Sequence, residues 1–191
     1  MTQPLIQYRK AFPSEFEGIL RLQQQYLKTT LPESDLSQGF LSLEFTREQL
    51  HKINSELGIF VALHGKEVIG YLMAESLEFA VGSPLMAHLL NRLNEFIFNN
   101  APLPSYHLFV YGPVCIEKQH RGQSVLEGLF NVMVQTLQGH YDVGLAFVSA
   151  LNLRSFNAHK NKLGMQLVDE FKFKGQKYWT LVFAVEPKEQ K

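Results

Sequence analysis

The stretch Val114-Cys115-Ile116-Glu117-Lys118-Gln119-His120-Arg121-Gly122-Gln123-Ser124 decides how this chain folds. An apolar strand ends in it, a short polar loop follows, and apolar spacing predicts an amphipathic helix over residues 122–137. Such a junction leaves backbone N–H groups free at the start of the helix, and the helix dipole adds partial positive charge there. The junction therefore predicts a bound anion, in particular a phosphate group.

Two residues of the loop strengthen this interpretation. Gly122 has no Cβ, so a ligand can approach its backbone closely, and Arg121 is placed to add a charge-assisted contact. The alternative is an ordinary strand-to-helix turn that contains a glycine. The segment has no Gly-Lys-Ser/Thr ending and only one glycine, which excludes a Walker A loop and a Rossmann fingerprint.

The composition indicates an ordinary globular chain. Its 191 residues suit one domain, and a hydrophobic share of 46% is enough for a real core. Lys+Arg and Asp+Glu both number 18, so the formal net charge is zero and no nucleic-acid partner is predicted.

The remaining bulk features predict a cytoplasmic protein without a membrane segment or a metal. A single cysteine excludes an intrachain disulfide, and the N-terminal residues do not resemble a signal peptide. No apolar run approaches the roughly 20 residues of a membrane-spanning helix. The 7 histidines show no metal-ligand spacing.

Periodicity and turn residues predict an α/β sheet with helices on both faces. Two capping boxes are predicted, Ser14 with Glu17 and Thr46 with Gln49. The predicted order is a strand at 5–9, helices at 16–31 and 46–53, strands at 59–63 and 68–74, a helix at 83–98, a strand at 107–116, a helix at 122–137, a strand at 143–149, a helix at 152–162 and a hairpin of 166–173 with 177–185.

The opening loop resembles the acetyl-CoA loop of the GNAT (GCN5-related N-acetyltransferase) superfamily, whose pattern is Gln/Arg-x-x-Gly-x-Gly/Ala. It reads here Gln119-His120-Arg121-Gly122-Gln123-Ser124. Ser124 departs from the pattern, and Leu126 stands where many members carry another glycine.

A second segment is similar to the same superfamily. Members often show Asn, a small residue three later, Tyr four after that, and then a Gly-Phe-like pair. Asn152, Ser155, His159 and Gly164-Met165 follow this order, with histidine in place of tyrosine and one extra residue before Gly164.

The resemblance covers nearly the whole chain and implies its architecture. It implies one GNAT domain over 1–191, with a core at about 5–186 and a mixed central sheet of about seven strands. The helix at 83–98 is an addition, because two strands are usually linked directly there. The end of the strand at 110–116 is expected to splay from the strand at 143–149.

The resemblance also implies where acetyl-CoA binds. The pantetheine arm is expected in the gap, and the pyrophosphate on N–H groups of residues 121–125. An N–H near Ile116 would steady the oxyanion. Asn152 is expected to bond the arm, to cap its helix, or both. The implied cofactor-binding residues are Val114, Cys115, Ile116, Gln119, His120, Arg121, Gly122, Gln123, Ser124, Val125, Asn152 and Ser155.

Two residues are catalytic candidates. His159 replaces the tyrosine that often serves the departing thiolate, and would act as a minority imidazolium or as a neutral N–H donor. The alternative is a packed helix residue. Glu117 is a candidate proton relay from the incoming amine, or simply a solvated carboxylate. Cys115 is expected to be buried and inert rather than a nucleophile.

The acceptor pocket is predicted from the first helices, their loop and the last hairpin. Tyr26, Phe40 and Phe45, with the strand that ends near Trp179, indicate an apolar or aromatic wall. Phe40 and Phe45 are expected to be exposed. The aromatic residues of the last hairpin, namely Phe171, Phe173, Tyr178 and Trp179, are interpreted as cross-strand packing.

Three functions follow from these features. The first is an N-acetyltransferase, monomeric or homodimeric, that moves the acetyl group of acetyl-CoA to a primary amine of a small molecule or peptide by direct attack in a ternary complex. The second is a CoA-binding sensor or scaffold without turnover. The third is a structural domain without a CoA site. The sequence does not identify the acceptor.

Overall fold

The computed structural model of the chain describes residues 5–185. A central sheet contains seven strands in the order β1-β2-β3-β6-β7-β9-β8, and β4 pairs with β5 separately. The strands are β1 Ile6–Lys10, β2 Gly58–His64, β3 Glu67–Glu75, β4 Ile97–Phe98, β5 Ala101–Pro102, β6 Leu108–Ile116, β7 Val143–Ser149, β8 Gln166–Phe173 and β9 Gln176–Ala184. The helices are α1 Phe16–Tyr26, α2 Arg47–Glu56, α3 Leu77–Ala80, α4 Pro84–Leu90, α5 Val125–Leu137 and α6 Leu153–Lys162.

The sheet is mixed, as predicted. Every pair of neighbours in it is antiparallel except β6 and β7, which run parallel. Parallel neighbours need a crossover, and α5 supplies it. The predicted seven-stranded α/β sheet is confirmed.

Helices cover both faces because side chains alternate along each strand. On β3, Tyr71 and Met73 lie in the cluster with α1 and α2, whereas Leu72 and Ala74 lie in the cluster with α5. The sequence of Val68–Ala74 shows no alternation of apolar and polar residues, because both faces of this strand are buried.

The segment of residues 76–107, called the insert below, joins β3 to β6. The prediction of one helix over 83–98 is wrong, because α4 ends at Leu90 and a 3₁₀ turn and the ribbon of β4 and β5 follow. Asn99 and Asn100 have φ of 48° and 63°, the left-handed pair that closes a tight hairpin. Phe96 and Phe98 are buried against the sheet from this ribbon rather than from a helix.

The ends of two other helices also differ from the sequence prediction. Helix α1 ends at Tyr26 instead of 31, because the chain becomes extended at Leu27, and Lys28 N donates to Leu41 O at 2.9 Å. Helix α5 begins at Val125, after a 3₁₀ turn at Lys118–His120, instead of at 122.

One of the two predicted capping boxes is confirmed. Thr46 Oγ1 accepts from Gln49 N at 3.3 Å, and Gln49 Oε1 accepts from Thr46 N at 2.8 Å. The box of Ser14 with Glu17 is wrong. Residues 13–15 form a 3₁₀ turn, and Glu15 accepts the N–H of Phe12 at 2.8 Å.

Replacement of Thr46 by alanine should lower the free energy of unfolding by about 1 kcal/mol, since it leaves N–H groups of α2 without a partner. Ser83→Ala is the matched control, because Ser83 occupies the N-cap of α4 without a side-chain hydrogen bond. Urea denaturation measures both variants. Equal losses would show that the hydrogen bonds of Thr46 do not stabilise α2.

Candidate functional site

The site begins where β6 and β7 separate. Only Leu108–Val110 of β6 pair with β7. Beyond that point β6 follows β3 through a bulge at Gly112-Pro113, and β7 stays with β9 as far as Ser149. The predicted splay is therefore present. From Tyr111 onward, the edge of β6 that is turned toward β7 faces a gap, while the other edge still pairs with β3.

Two cavities open into this gap. One, of about 490 Å³, has walls rich in aromatic side chains and is called the aromatic cavity. The other, of about 450 Å³, lies between the N-terminal end of α5 and the length of α6 and is called the helix-end cavity. The residues that line both cavities are Phe40, Leu41, Val114, Asn152, Ser155 and His159.

The helix-end cavity contains the loop that the sequence singled out. Gly122 has φ of 83° and Ser124 has φ of 59°, so the backbone turns sharply before α5. A Cβ on Gly122 would meet nothing within 4 Å, which leaves room for a ligand against the backbone. Among residues 5–185, the N–H groups of 122–124 donate to no protein group.

Most of the predicted cofactor-binding residues line the helix-end cavity. They are Val114, Cys115, Ile116, His120, Arg121, Gly122, Ser124, Val125, Asn152 and Ser155. Gln119 and Gln123 are not among the lining residues; instead, Gln123 Nε2 donates to Gln119 O at 3.0 Å.

Arg121 is held at the edge of the helix-end cavity by protein groups. Its Nε donates to Ile116 O at 2.8 Å, its Nη1 donates to Gln38 O at 2.7 Å, and its guanidinium lies 4.7 Å from the centre of the Tyr26 ring. Burial lowers the pKa of Arg121. The loop therefore carries a fixed positive charge whose hydrogen bonds are already partly used.

Residues 27–46, called the strap below, cross the gap. Asn152 Nδ2 donates to Phe40 O at 3.2 Å, while Asn152 Oδ1 accepts from Ser155 N at 3.2 Å. The N-cap role predicted for Asn152 is confirmed. With the bond between Gln38 and Arg121, the strap is joined to both sides of the gap.

The aromatic residues of the strap are buried, so the expectation of exposed side chains at Phe40 and Phe45 is wrong. Phe40 is 8% exposed and Phe45 is 6% exposed. The backbone of Phe45 bonds both amide atoms of the buried Gln23, which pulls the strap inward. Phe40 lines both cavities, Phe45 lines the aromatic cavity, and Tyr26 lines the helix-end cavity.

His159 lies at the junction of the cavities with both ring nitrogens in hydrogen bonds. Nδ1 is 2.7 Å from Ser155 O, which only accepts, so Nδ1 carries the proton. Nε2 is then the acceptor of a hydrogen bond that the Tyr111 hydroxyl donates, with 3.1 Å between Oη and Nε2. Burial lowers the pKa of His159 and raises that of Tyr111 well above its usual value, so both side chains are neutral near pH 7.

Other candidates lie away from the gap or are inert. Glu117 lines neither of the two cavities, and its carboxylate accepts a hydrogen bond from Gln119 Nε2 at 3.0 Å. Cys115 is buried, and burial raises the pKa of its thiol to about 12. Trp179 stacks on Phe156, with ring centres 4.1 Å apart, and lies outside both cavities. Phe171 and Tyr178 are cross-strand partners, as predicted.

Glu75 is a residue of this site that no sequence motif singles out. This last residue of β3 is only 6% exposed and lines the aromatic cavity. Burial raises its pKa to about 8. The only sequence signal is a carboxylate directly after an apolar strand, which is also the signal of an ordinary exposed strand end. The insert that covers it cannot be read from that signal.

Two further findings concern residues 5–185 alone. No group of three or more His, Cys, Asp or Glu side chains in that range is placed to hold a metal ion. None of the helices in that range combines the length and the apolar composition needed to cross a membrane.

We expect His159 to remain a neutral imidazole with its proton on Nδ1 throughout the range from pH 7 to below its usual pKa of about 6.5. The folded state resists protonation and the unfolded state does not, so this residue's contribution to stability is present above about pH 6.5 and is lost as the pH falls below it. Nitrogen-15 NMR of the ring measures both the tautomer and the titration. A proton on Nε2, or titration near 6.5, would contradict the hydrogen-bond assignment.

Comparison with known proteins places this geometry in a known fold. No family model and no curated protein matches the sequence. An acetyltransferase of the GNAT family from Streptococcus agalactiae 2603 is similar, with a TM-score of 0.65 and 14% identity over 95% of this chain and 96% of its own. NAA60 from Arabidopsis thaliana, in complex with acetyl-CoA, gives a TM-score of 0.64 and 15% identity over 94% of this chain and 99% of its own.

A third structure agrees with these two. It is yncA from Salmonella typhimurium with its cofactor acetyl-CoA, and it gives a TM-score of 0.61 and 11% identity over 95% of this chain and 94% of its own. Likeness over almost the full length of each chain, at such low identity, is a likeness of fold. The chain therefore has the fold of the GNAT acetyltransferases.

Proposed function

We propose that this chain is an N-acetyltransferase, acting as one domain, that binds acetyl-CoA in the helix-end cavity and passes its acetyl group to an amine in the aromatic cavity. The observation that carries the proposal is the meeting of the two cavities at Val114, Asn152 and His159. Direct attack requires donor and acceptor to be bound together, and two cavities with a shared wall provide for both. Two of the three structures compared above contain acetyl-CoA.

The helix-end cavity suits the donor chemically. The free N–H groups of residues 122–124, at the N-terminal end of α5, would bind the pyrophosphate. The backbone of Cys115 and Ile116 borders the same cavity and would pair with the amide groups of the pantetheine arm. Arg154 and Lys162 also line it and add positive charge.

We assign proton transfer to Tyr111 and His159 acting as a pair. When nitrogen attacks the thioester carbonyl, it must lose a proton, and the sulfur that leaves must gain one. Tyr111 can accept the first proton on its oxygen while its own proton moves to Nε2 of His159, and the same path run backwards returns a proton for the sulfur. Glu117 stays a prediction only, because its carboxylate bonds Gln119 outside the cavities.

Acetyl-CoA should stabilise the native protein. A ligand at 100 times its Kd that binds only the folded state adds about 2.7 kcal/mol, which a rise in melting temperature detects. With a panel of amines, release of the CoA thiol should follow. Binding without thiol release for any amine would identify a sensor, and no thermal shift at millimolar CoA would remove the donor site altogether.

Gly122→Ala should weaken acetyl-CoA binding at least tenfold, because its Cβ would stand where the pyrophosphate must meet the backbone. The matched control is Gly139→Ala. Gly139 has φ of 80°, a Cβ there also meets nothing within 4 Å, and it lines neither cavity. Each variant carries backbone strain of about 1–2 kcal/mol, so only a ligand effect can separate them. Calorimetric titration with CoA measures the difference; equal affinities would show that phosphate does not bind at Gly122.

Tyr111→Phe and His159→Phe should each lower kcat by about 10²- to 10⁴-fold with acetyl-CoA affinity retained. Tyr106→Phe is the control, since it removes a hydroxyl that donates to Phe98 O at 2.9 Å in the insert. The pair also predicts that a double variant loses little more than either single variant, because each residue works through the other. Additive losses in a double-mutant cycle would contradict the pairing.

A further inference from the structure

Glu75 is a buried carboxylate without a partner in the part of the chain that the structure describes. It is 6% exposed, and residues 5–185 offer its carboxylate no hydrogen bond or ion pair, but its oxygens are not fully enclosed, so the carboxylate keeps access to the aromatic cavity. A buried carboxylate without a partner is costly, so burial favours its protonated form, and such a group calls for an explanation such as a catalytic role, a water or a bound ion. The Glu75 side chain borders the aromatic cavity, so a ligand there is within its reach.

The charges around the aromatic cavity favour a cation. Three carboxylates line it, from Glu44, Glu75 and Glu78, against a single ammonium from Lys52. Lys52 Nζ lies 3.9 Å from Glu56 and 5.5 Å from the centre of the Phe79 ring, so it already has partners. Glu44 and Glu78 are exposed to solvent, which leaves Glu75 as the buried carboxylate of this cavity.

The walls and the size of the aromatic cavity favour a small molecule with an apolar body. Apolar side chains come from the strap and from β7, and the insert closes a further side. The lining side chains of this kind are Phe40, Phe45, Phe79, Met86 and Phe147. A volume of about 490 Å³ lies in the range of roughly 300–1,000 Å³ typical of small-molecule sites.

We propose that Glu75 binds the ammonium group of the acceptor, and that the acceptor is a small primary amine with one positive charge and an apolar or aromatic body. The inference rests on the proposed function, because it names the occupant of the cavity that would receive the acetyl group. One buried carboxylate pairs with one ammonium. A polyamine would bring further charges, and a peptide further polar backbone groups, against apolar walls.

The chemistry at Glu75 balances. An ammonium cannot attack, so one N–H bond breaks, its electron pair stays on nitrogen, and the Glu75 carboxylate takes the proton. The second proton, released as the C–N bond forms, goes through Tyr111 and His159 to the sulfur as the C–S bond breaks. Glu75 then gives its proton to water, so that an ammonium and a thioester become a neutral amide, a thiol and one released proton.

Amine binding should depend on pH through Glu75. Its raised pKa of about 8 means that the empty site holds a carboxylic acid at lower pH, and an ammonium must displace that proton. The other titratable groups facing the cavity are Glu44 from the strap, Lys52 from α2, Glu78 from α3, Tyr111 from β6 and His159 from α6. Tyr111 and His159 stay neutral from pH 7 to 8, because burial moves the pKa of each away from this range.

The test uses 2-phenylethylamine as the probe, titrated calorimetrically into the full chain saturated with CoA, at pH 6, 7 and 8. For the wild type, Kd should fall about tenfold from pH 6 to 7 and then flatten near pH 8. Glu75→Gln keeps the size of the side chain but cannot ionise. It should bind the probe about 10- to 100-fold more weakly at pH 8 and without the pH dependence, while CoA affinity is unchanged.

Two comparisons make the test specific. Glu78→Gln removes an exposed carboxylate from the same cavity and should keep the pH dependence, with a change in Kd of at most about threefold, because water screens that charge. Folding is checked by melting. The stability that protonated Glu75 contributes is lost as the pH rises through about 8, so Glu75→Gln should melt no lower than the wild type at pH 9.

The outcomes separate this inference from the proposed function. A pH-independent wild type, or equal binding by Glu75→Gln, overturns the role of Glu75. Faster acetylation of spermidine, or of a tripeptide with a free N-terminal phenylalanine, than of 2-phenylethylamine overturns the acceptor class. Amine binding that depends on Glu75, without acetylation of any amine, supports this inference and rejects acetyl transfer.

Discussion

The parting of β6 from β7 is the constraint on which the rest of the molecule depends. The two strands are fixed together at their start, where His107 N donates to Asp142 Oδ2 at 2.8 Å and Asp142 N donates to His107 O at 2.9 Å. After three residue pairs, each strand follows a different neighbour. Backbone groups left without a strand must bond to water or to a ligand, because burying them unpaired is costly. The gap thus leaves backbone groups open to water or a ligand, before any side chain is considered.

The strap keeps this gap bridged without filling it. Its carbonyl at Phe40 bonds Asn152 on the side of β7 and α6, and its carbonyl at Gln38 bonds Arg121 on the side of β6 and α5. The same segment places the Phe40 side chain between the two cavities. A residue of the strap therefore shapes the aromatic cavity and the helix-end cavity at once, which ties the geometry of one to the other.

The sequence was sufficient to predict the central sheet with its crossover helix, and the loop of the helix-end cavity. The spacing of Leu129, Phe130 and Met133 predicts the crossover helix, and Gly122 marks the turn before it, because both are local signals. The course of the insert was harder to predict. Leu89, Leu93 and Phe96 continue a helical spacing, but packing against the sheet replaces the helix with a ribbon. Where tertiary contacts override local spacing, a single sequence gives no warning.

The residues around the aromatic cavity could not be predicted for a related reason. Tyr111 and His159 are 48 residues apart and meet only through the fold. Glu75 shares the aromatic cavity with Glu78, Phe79 and Met86 of the insert, so its environment depends on how that segment packs against the sheet. The position of Phe45 likewise depends on Gln23 within α1, and that of Phe40 on Asn152, both of which are distant in sequence.

The single cysteine has a practical consequence. Cys115 is 3% exposed, lies on β6 beside the gap, and has a thiol pKa raised to about 12. Thiolate is the form that reacts with disulfide reagents, so the native protein gives such reagents almost nothing to attack at neutral pH. In an assay that detects released CoA with a disulfide reagent, the colour then comes from the CoA thiol rather than from the protein. Slow labelling of Cys115 by such a reagent would in turn report the rate of local opening of the sheet, without any engineered cysteine.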